Sequence, residues 1–197
     1  MEKLLYIDSC IRREASRSRQ AADYLMKKME ASGKYEIETL CLMDEPLHYL
    51  GGDFFLQRER LLAEGRRDHR RFDYAHQFAR ADVIVIAAPF WDLGFPALLK
   101  TYIENISVDG ITFYADTEGC HGMSQGRQLI FVTTRGGYYE NTPLEMGSLY
   151  MEALSVFFGI DQYKCFFAEG LDIEGSDQKM LMQNLFDQID EFAADWT

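Results

Sequence analysis

Three short stretches of the chain gather residues of the kind that bind ligands. Ser9 to Arg19 (SCIRREASRSR) carries Ser9, Ser16 and Ser18 among Arg12, Arg13, Arg17 and Arg19, directly ahead of a helix-like run. Hydroxyls and free amides at a helix N-terminus favour an anion such as phosphate. Pro89 to Pro96 (PFWDLGFP) follows the apolar run Val83–Ile86 and carries Phe90, Trp91 and Phe95, rings suited to walling a flat aromatic ligand. Thr134 to Tyr139 (TRGGYY) holds paired glycines, whose backbone can approach a ligand closely and turn amides toward a polar ring edge. Taken singly, each stretch has a plainer reading: a capped helix, aromatic core filler, an ordinary turn.

Other chemistries leave fewer traces. There is no G-x-G-x-x-G and no G-x-x-x-x-G-K-[ST], so neither a Rossmann dinucleotide site nor a P-loop is expected. Cys10, Cys41, Cys120 and Cys165 form no C-x-x-C pair and no metal-like grouping with His48, His69, His76 and His121. Reduced thiols and no metal site are expected, and no local signature marks a catalytic Cys–His pair. The formal net charge of −12 argues against nucleic acid and anionic membrane as partners. It leaves room for a locally basic phosphate pocket. A second basic run, Arg66-Arg67 to Arg70-Arg71, is interleaved with Glu64, Asp68 and Asp73 and reads as a solvated helix face.

The positions of these stretches follow from apolar periodicity. Strand-like runs cover Lys3 to Asp8, Tyr35 to Leu42, Asp82 to Ala88, Arg127 to Thr134 and Tyr163 to Ala168. Between them, helical spacing covers Ser18 to Ala31, Leu56 to Arg80 with a break near Gly65, Ala97 to Ile106, and Leu144 to Phe158 stopped at Gly159. Asp177 to Ala194 closes the chain as a helix. Asp109 to Gly126, rich in glycine, breaks the alternation and is expected to be an excursion containing a β-hairpin. Strands alternating with helices imply a parallel, doubly wound sheet, and five strands imply the order 2-1-3-4-5. A single domain over 1–197 is expected, an α/β three-layer sandwich. No run approaches the ~20 apolar residues of a membrane span. The opening MEKLLYID reads as a strand, not a signal peptide, so a cytoplasmic protein is expected.

In this order the three stretches leave the carboxyl ends of strands one, three and four, where open α/β sheets place ligands. A phosphate cradle, an aromatic wall and a glycine-amide edge match the tail, ring and pyrimidine edge of flavin mononucleotide (FMN). The chain also resembles the flavodoxin-like FMN-dependent NAD(P)H:quinone oxidoreductases and azoreductases. The resemblance rests on Ser9 with Ser16-Arg17-Ser18, Ala87-Ala88-Pro89 before Phe90-Trp91-Asp92-Leu93, and Leu99-Lys100-Thr101-Tyr102-Ile103. It continues through Gly110-Ile111-Thr112-Phe113, Thr133-Thr134-Arg135-Gly136-Gly137, Phe158-Gly159-Ile160 and Phe167-Ala168-Glu169-Gly170.

The resemblance implies a homodimer with FMN near the subunit interface, and hydride passed from NADH or NADPH to a small-molecule electron acceptor. By position, Ser9, Ser16 and Ser18 would hold the phosphate, with Arg17 paired to it. Pro89, Phe90, Trp91, Asp92 and Leu93 would flank the isoalloxazine, and Thr134, Arg135, Gly136 and Gly137 would reach its pyrimidine edge. Tyr139 would lie near the substrate space. Arg12 and Arg13 would face solvent or attract the 2′-phosphate of NADPH. Chemistry belongs to the cofactor in this reading, so no catalytic side chain is assigned. Tyr114, Tyr138 and His121 are candidates for touching substrate or for purely structural roles. The family often has a neutral Asn where this chain has Asp92. A carboxylate aimed at the ring would lower the flavin potential, an effect of about 1–3 kcal/mol in a partly buried site. The alternatives are a nitro- or metal-ion reductase on the same flavin, a non-enzymatic flavodoxin-like electron carrier, and a flavin-free binding module.

Overall fold

The structure, a computed structural model, describes residues 1–194; residues 195–197, inside the expected single domain, lie outside the described residues. Five parallel strands form the central sheet: β1 (Glu2–Asp8), β2 (Tyr35–Cys41), β3 (Val83–Ala87), β6 (Gln128–Thr134) and β7 (Gln162–Ala168). Two short antiparallel strands, β4 (Phe113–Asp116) and β5 (Gly119–Gly122), make the hairpin of the excursion. The sheet order is β2-β1-β3-β6-β7. Counted over parallel strands alone this is the expected arrangement, and the labels differ because the hairpin strands fall between β3 and β6.

The two faces are covered as strand alternation requires. Leu4 and Tyr6 of β1 pack into a core with α1 (Arg17–Ala31) and α6 (Gln178–Ala193), through Leu25, Met29, Leu185 and Ile189. Leu5 and Ile7 face the opposite core, with α3 (Asp73–Ala79), α4 (Ala97–Ile106) and α5 (Gly147–Phe158). There Phe78 and Phe158 pack with ring centroids 4.9 Å apart. All five residues of β3 are buried, as a central strand covered on both faces demands. Each fully buried aliphatic or aromatic side chain contributes about 1.5–3 kcal/mol.

Several boundaries shift for local reasons. The helical pattern Leu56 to Arg80 is two helices, α2 (Gly52–Ala63) and α3, joined by a long turn. Gly65 at φ +69° ends α2 with Gly65 N–H on Leu62 O and Arg66 N–H on Leu61 O, the two bonds of a glycine C-cap. The second basic run therefore sits in this connection and is not a solvated helix face. Arg67 reaches Asp109 (3.1 Å), and Arg71 lies over the Phe54 ring (3.2 Å) and donates to Asn105 Oδ1 (3.3 Å). Burial without a carboxylate lowers the Arg71 guanidinium to about 10, with Arg58 adding repulsion. Helix α5 starts at Gly147 rather than Leu144: just before it, Met146 N–H donates to Leu93 O (3.2 Å) and Glu145 is held by Arg135 (3.1 Å). The hairpin lies so close to the end of α5 that a Cβ at Gly122 would sit 2.0 Å from the Gly159 nitrogen. Among the described residues no helix is long and apolar enough to cross a membrane.

Candidate functional site

The three ligand-facing loops leave the same edge of the sheet because the backbone ladder continues past the strand ends. Ser9 N–H donates to Ala87 O (2.9 Å), Phe90 N–H to Thr134 O (3.0 Å) and Arg135 N–H to Ala168 O (2.8 Å). They enclose one cleft. Ser16 and Arg17 line it from the first loop, Pro89, Phe90 and Trp91 from the second, and Thr134 and Gly136 from the third. Arg12, Ala15 and Asp172 complete it. Ser9, Ser18, Asp92, Leu93, Arg135 and Gly137 do not line it.

The polar end is built at the start of α1. Ser16 is the N-cap, its hydroxyl accepting from Arg19 N–H at 3.4 Å. Ser18 is fully buried, and its hydroxyl shares a hydrogen bond with Thr134 Oγ1 (2.8 Å), tying the first loop to the third. Ser9 is also fully buried, and its hydroxyl has no hydrogen-bond partner among the described residues. Asp8 closes the turn beneath them: its carboxylate accepts from Cys10 N–H (2.9 Å) and lies 3.5 Å from Arg19. Burial raises the Asp8 carboxyl above its ordinary value, against the lowering pull of Cys10 and Arg19. Burial also pushes the Cys10 thiol up, which keeps it protonated and unreactive.

Arginines in this region are mostly paired. Arg13 meets Asp44 at 2.7 Å and holds that carboxyl down at about 2. Arg17 meets Asp172 at 2.7 Å and donates to Leu171 O at 3.1 Å. Arg12 faces the cleft with no ion-pair partner among the described residues.

The aromatic end is a tight reversal. Trp91 and Gly94 exchange both backbone hydrogen bonds (3.2 and 2.8 Å), with Asp92 at φ +50° and Leu93 at φ +68° between them. Two successive positive φ values define a mirror-image turn. Asp tolerates this conformation, but Leu does so at a cost of about 1–2 kcal/mol. Leu93 O is held by Met146 N–H (3.2 Å). Phe90 is buried against Tyr139, ring centroids 4.7 Å apart, whereas Trp91 is 40 % exposed. Asp92 is exposed at the tip of the turn, not aimed into the cleft as the potential-tuning expectation required.

Arg135 behaves differently from the sequence expectation. Its side chain is buried below the cleft, 3.1 Å from Glu145 and 3.3 Å from Glu169, and stacked at 4.2 Å over Phe167. Glu169 also accepts from Tyr139 N–H (2.9 Å) and Glu140 N–H (3.0 Å), and Glu145 accepts from Ser148 N–H (2.9 Å) at the start of α5. The guanidinium therefore ties three loops together and leaves the cleft to its neighbours. Tyr114 and His121 stack on each other in the hairpin (4.7 Å), and His121 pairs with Asp116 (2.9 Å). Tyr138 is 62 % exposed. No local pattern marks Glu145 or Asp172: Glu145 acts on Arg135, in a different loop, and Asp172 on Arg17, 155 residues away. The Glu169-Gly170 pair at the end of β7 was the one local signal near them.

The residues present fit FMN. A buried, unpartnered Ser9 hydroxyl and the N-terminus of α1 suit a phosphate, and Phe90 with Trp91 suits a planar ring. The absent side chain at Gly136 makes room for Asp172, whose Oδ2 would lie 2.5 Å from a Cβ there.

A family model described as a flavodoxin-like fold matches residues 2–192. The FMN-dependent NADH:quinone oxidoreductase 2 of Clostridium acetobutylicum is 37 % identical over 201 residues, covering all of both chains. The FMN-dependent NADH:quinone oxidoreductase of Caldicellulosiruptor bescii is 34 % identical over 202 residues, covering 98 % of each. Among solved structures, an FMN-dependent NADH-azoreductase from Bacillus anthracis in complex with FMN superposes with a TM-score of 0.86 at 23 % identity, covering 99 % of each chain. That likeness shows the fold. The sheet order and the matches along the whole chain agree: this chain belongs to the flavodoxin-like family of FMN-dependent NADH:quinone oxidoreductases.

Proposed function

We propose that the protein is an FMN-dependent oxidoreductase that moves hydride from NADH or NADPH to quinones, azo compounds or related electrophiles. The observation that carries this is the meeting of Ser16, Phe90, Trp91, Thr134 and Gly136 at one cleft over the ends of β1, β3 and β6. Two-electron transfer in two half-reactions is the chemistry FMN supplies when bound. The chain's own residues bind and orient. Ser9, Ser16 and the amides of α1 hold the phosphate, with Arg12 and Arg17 adding charge, and Ser18 braces this loop against Thr134. Pro89, Phe90 and Trp91 flank the ring, and Thr134 and Gly136 meet its polar edge. No side chain at the cleft need act as acid or base.

The acceptor is a small molecule, and the oxidoreductase is a homodimer. Trp91, Leu93, Leu144, Met146 and Leu149, each between 39 % and 53 % exposed, form an apolar rim beside the cleft that a second copy would cover. The protein works in the cytoplasm, with no nucleic-acid or membrane partner, in keeping with its acidic charge.

The test is a turnover panel on FMN-loaded protein, NADH against NADPH, across quinone, azo and nitro acceptors. Steady consumption of NADH with menadione is expected. Tight FMN binding with no turnover on any small acceptor would return the protein to an electron carrier. Absence of flavin binding would overturn the reading altogether.

A further inference from the structure

The arginines that follow β1 are not equally free. Arg13 and Arg19 have carboxylate partners outside the cleft, in Asp44, Asp8, Glu14 and Asp23. Arg17 is paired inside it, because both Arg17 and Asp172 line the cleft beside Ser16, Thr134 and Gly136. Asp172 is delivered there by backbone pairing. Gly170 N–H donates to Gly137 O (2.9 Å), Leu171 N–H to Arg135 O (3.2 Å) and Asp172 N–H to Gly136 O (2.9 Å). This lays the carboxylate over Gly136, with Oδ1 on Arg17 Nη2 and Oδ2 over the glycine where a Cβ would otherwise stand. Arg17 Nη1 is also engaged, by Leu171 O. A guanidinium beside the phosphate cradle is thus turned toward the loop after β7.

We infer that Asp172 competes with the phosphate of FMN for Arg17, and thereby sets how tightly and for how long the cofactor is held. The inference rests on the FMN reading of the cleft. A carboxylate and a phosphate dianion repel each other across one guanidinium. Phosphate entry requires that Arg17 leave Asp172, or that the phosphate accept an anion as its neighbour. Either course weakens binding. Both side chains are partly exposed, so screening keeps the effect modest rather than absolute.

The experiment is a titration of apoprotein with FMN and with riboflavin, which has the same ring and no phosphate, followed by flavin fluorescence. For Asp172→Asn the FMN Kd should fall by roughly fivefold, the scale of one screened charge pair, and release should slow. Riboflavin affinity should not move. Adding Arg17→Gln to Asp172→Asn should abolish the gain. Unchanged or weaker FMN binding in Asp172→Asn would overturn the inference, because Asp172 would then be orienting Arg17 rather than occupying it. Equal tightening of both flavins would overturn it too, by placing the effect at the ring. Should Asp172→Asn melt earlier than the wild type, Asp172→Ser makes the same comparison. A wild-type protein that binds neither flavin would sink the FMN reading itself. A wild type that binds FMN, with no gain on neutralising Asp172, sinks the inference alone.

Discussion

The two ends of the cleft are built by opposite means. At the aromatic end, four consecutive residues close on themselves: Trp91 and Gly94 bond to each other, and the fold of Asp92-Leu93 is a matter of local backbone. At the polar end, Ser16 caps its own helix, but two other groups are held by ones far away in sequence. Ser18 meets Thr134, and Arg17 meets Asp172, 155 residues distant. Local strain therefore shapes the ring wall, while long-range pairing of charges and hydroxyls shapes the phosphate cradle. Arg135 lies under both, 5.6 Å from the Phe90 ring and bonded to the carboxylates that fix the third loop.

The largest effect should come from removing that shared support. Arg135→Met leaves Glu145 and Glu169 buried without their cation, a loss of about 3–5 kcal/mol. At this chain length that lowers the melting temperature of the apoprotein by roughly 10 °C, and FMN retention should fail with it. A melting temperature within about 3 °C of wild type would show the two ends to be independent of Arg135.

Trp91→Ala should divide the ends instead. Trp91 is 40 % exposed, so the fold should hold, while the loss of ring contact weakens FMN by about tenfold. Equal FMN affinity in the two proteins would make Trp91 a surface or interface residue and move the ring wall to Phe90. Next, Leu93→Gly tests whether strain belongs to the turn. Glycine is at ease at φ +68°, and the exchange should stabilise the apoprotein by about 0.5–1 kcal/mol, read in urea unfolding. FMN affinity should stay within about twofold of the wild type, since Leu93 does not line the cleft. A stabilised protein with markedly weaker FMN binding would show instead that the strain preorganises the wall.

Asp92→Asn should do least. Its carboxylate is exposed and outside the cleft lining, so the FMN midpoint potential should move by no more than about 10 mV, the two-electron equivalent of about 0.5 kcal/mol. A shift several times larger would put the charge against the ring.

Much of this was legible in the chain. The unbroken apolar run of β3 announced a strand buried on both faces, and Gly159 marked the end of α5 at φ +77°. Ser16 and Ser18 both suited the cap of α1, and Ser16 is the one that takes it. These features are local: propensity, periodicity and capping act over a few residues, and the sequence lists those residues side by side. The basic run Arg66 to Arg71 misled because its period suits a helix, while Gly65 ends that helix and Phe54 and Asn105 draw Arg71 inward. Nothing local told Arg135 from a ligand-facing residue of its glycine loop.

Reading along the chain is enough to find the order of strands and helices, the three loops that meet over the sheet, and the kind of cofactor they suit. This is so because hydrophobic period and turn chemistry are written residue by residue. Which arginine is taken up by a carboxylate, which faces the cleft and which is buried beneath it follows from the folded arrangement alone. Charge pairing depends on distances of a few ångströms between groups as much as 155 residues apart, and those distances exist only once the sheet has brought β1, β6 and β7 into register.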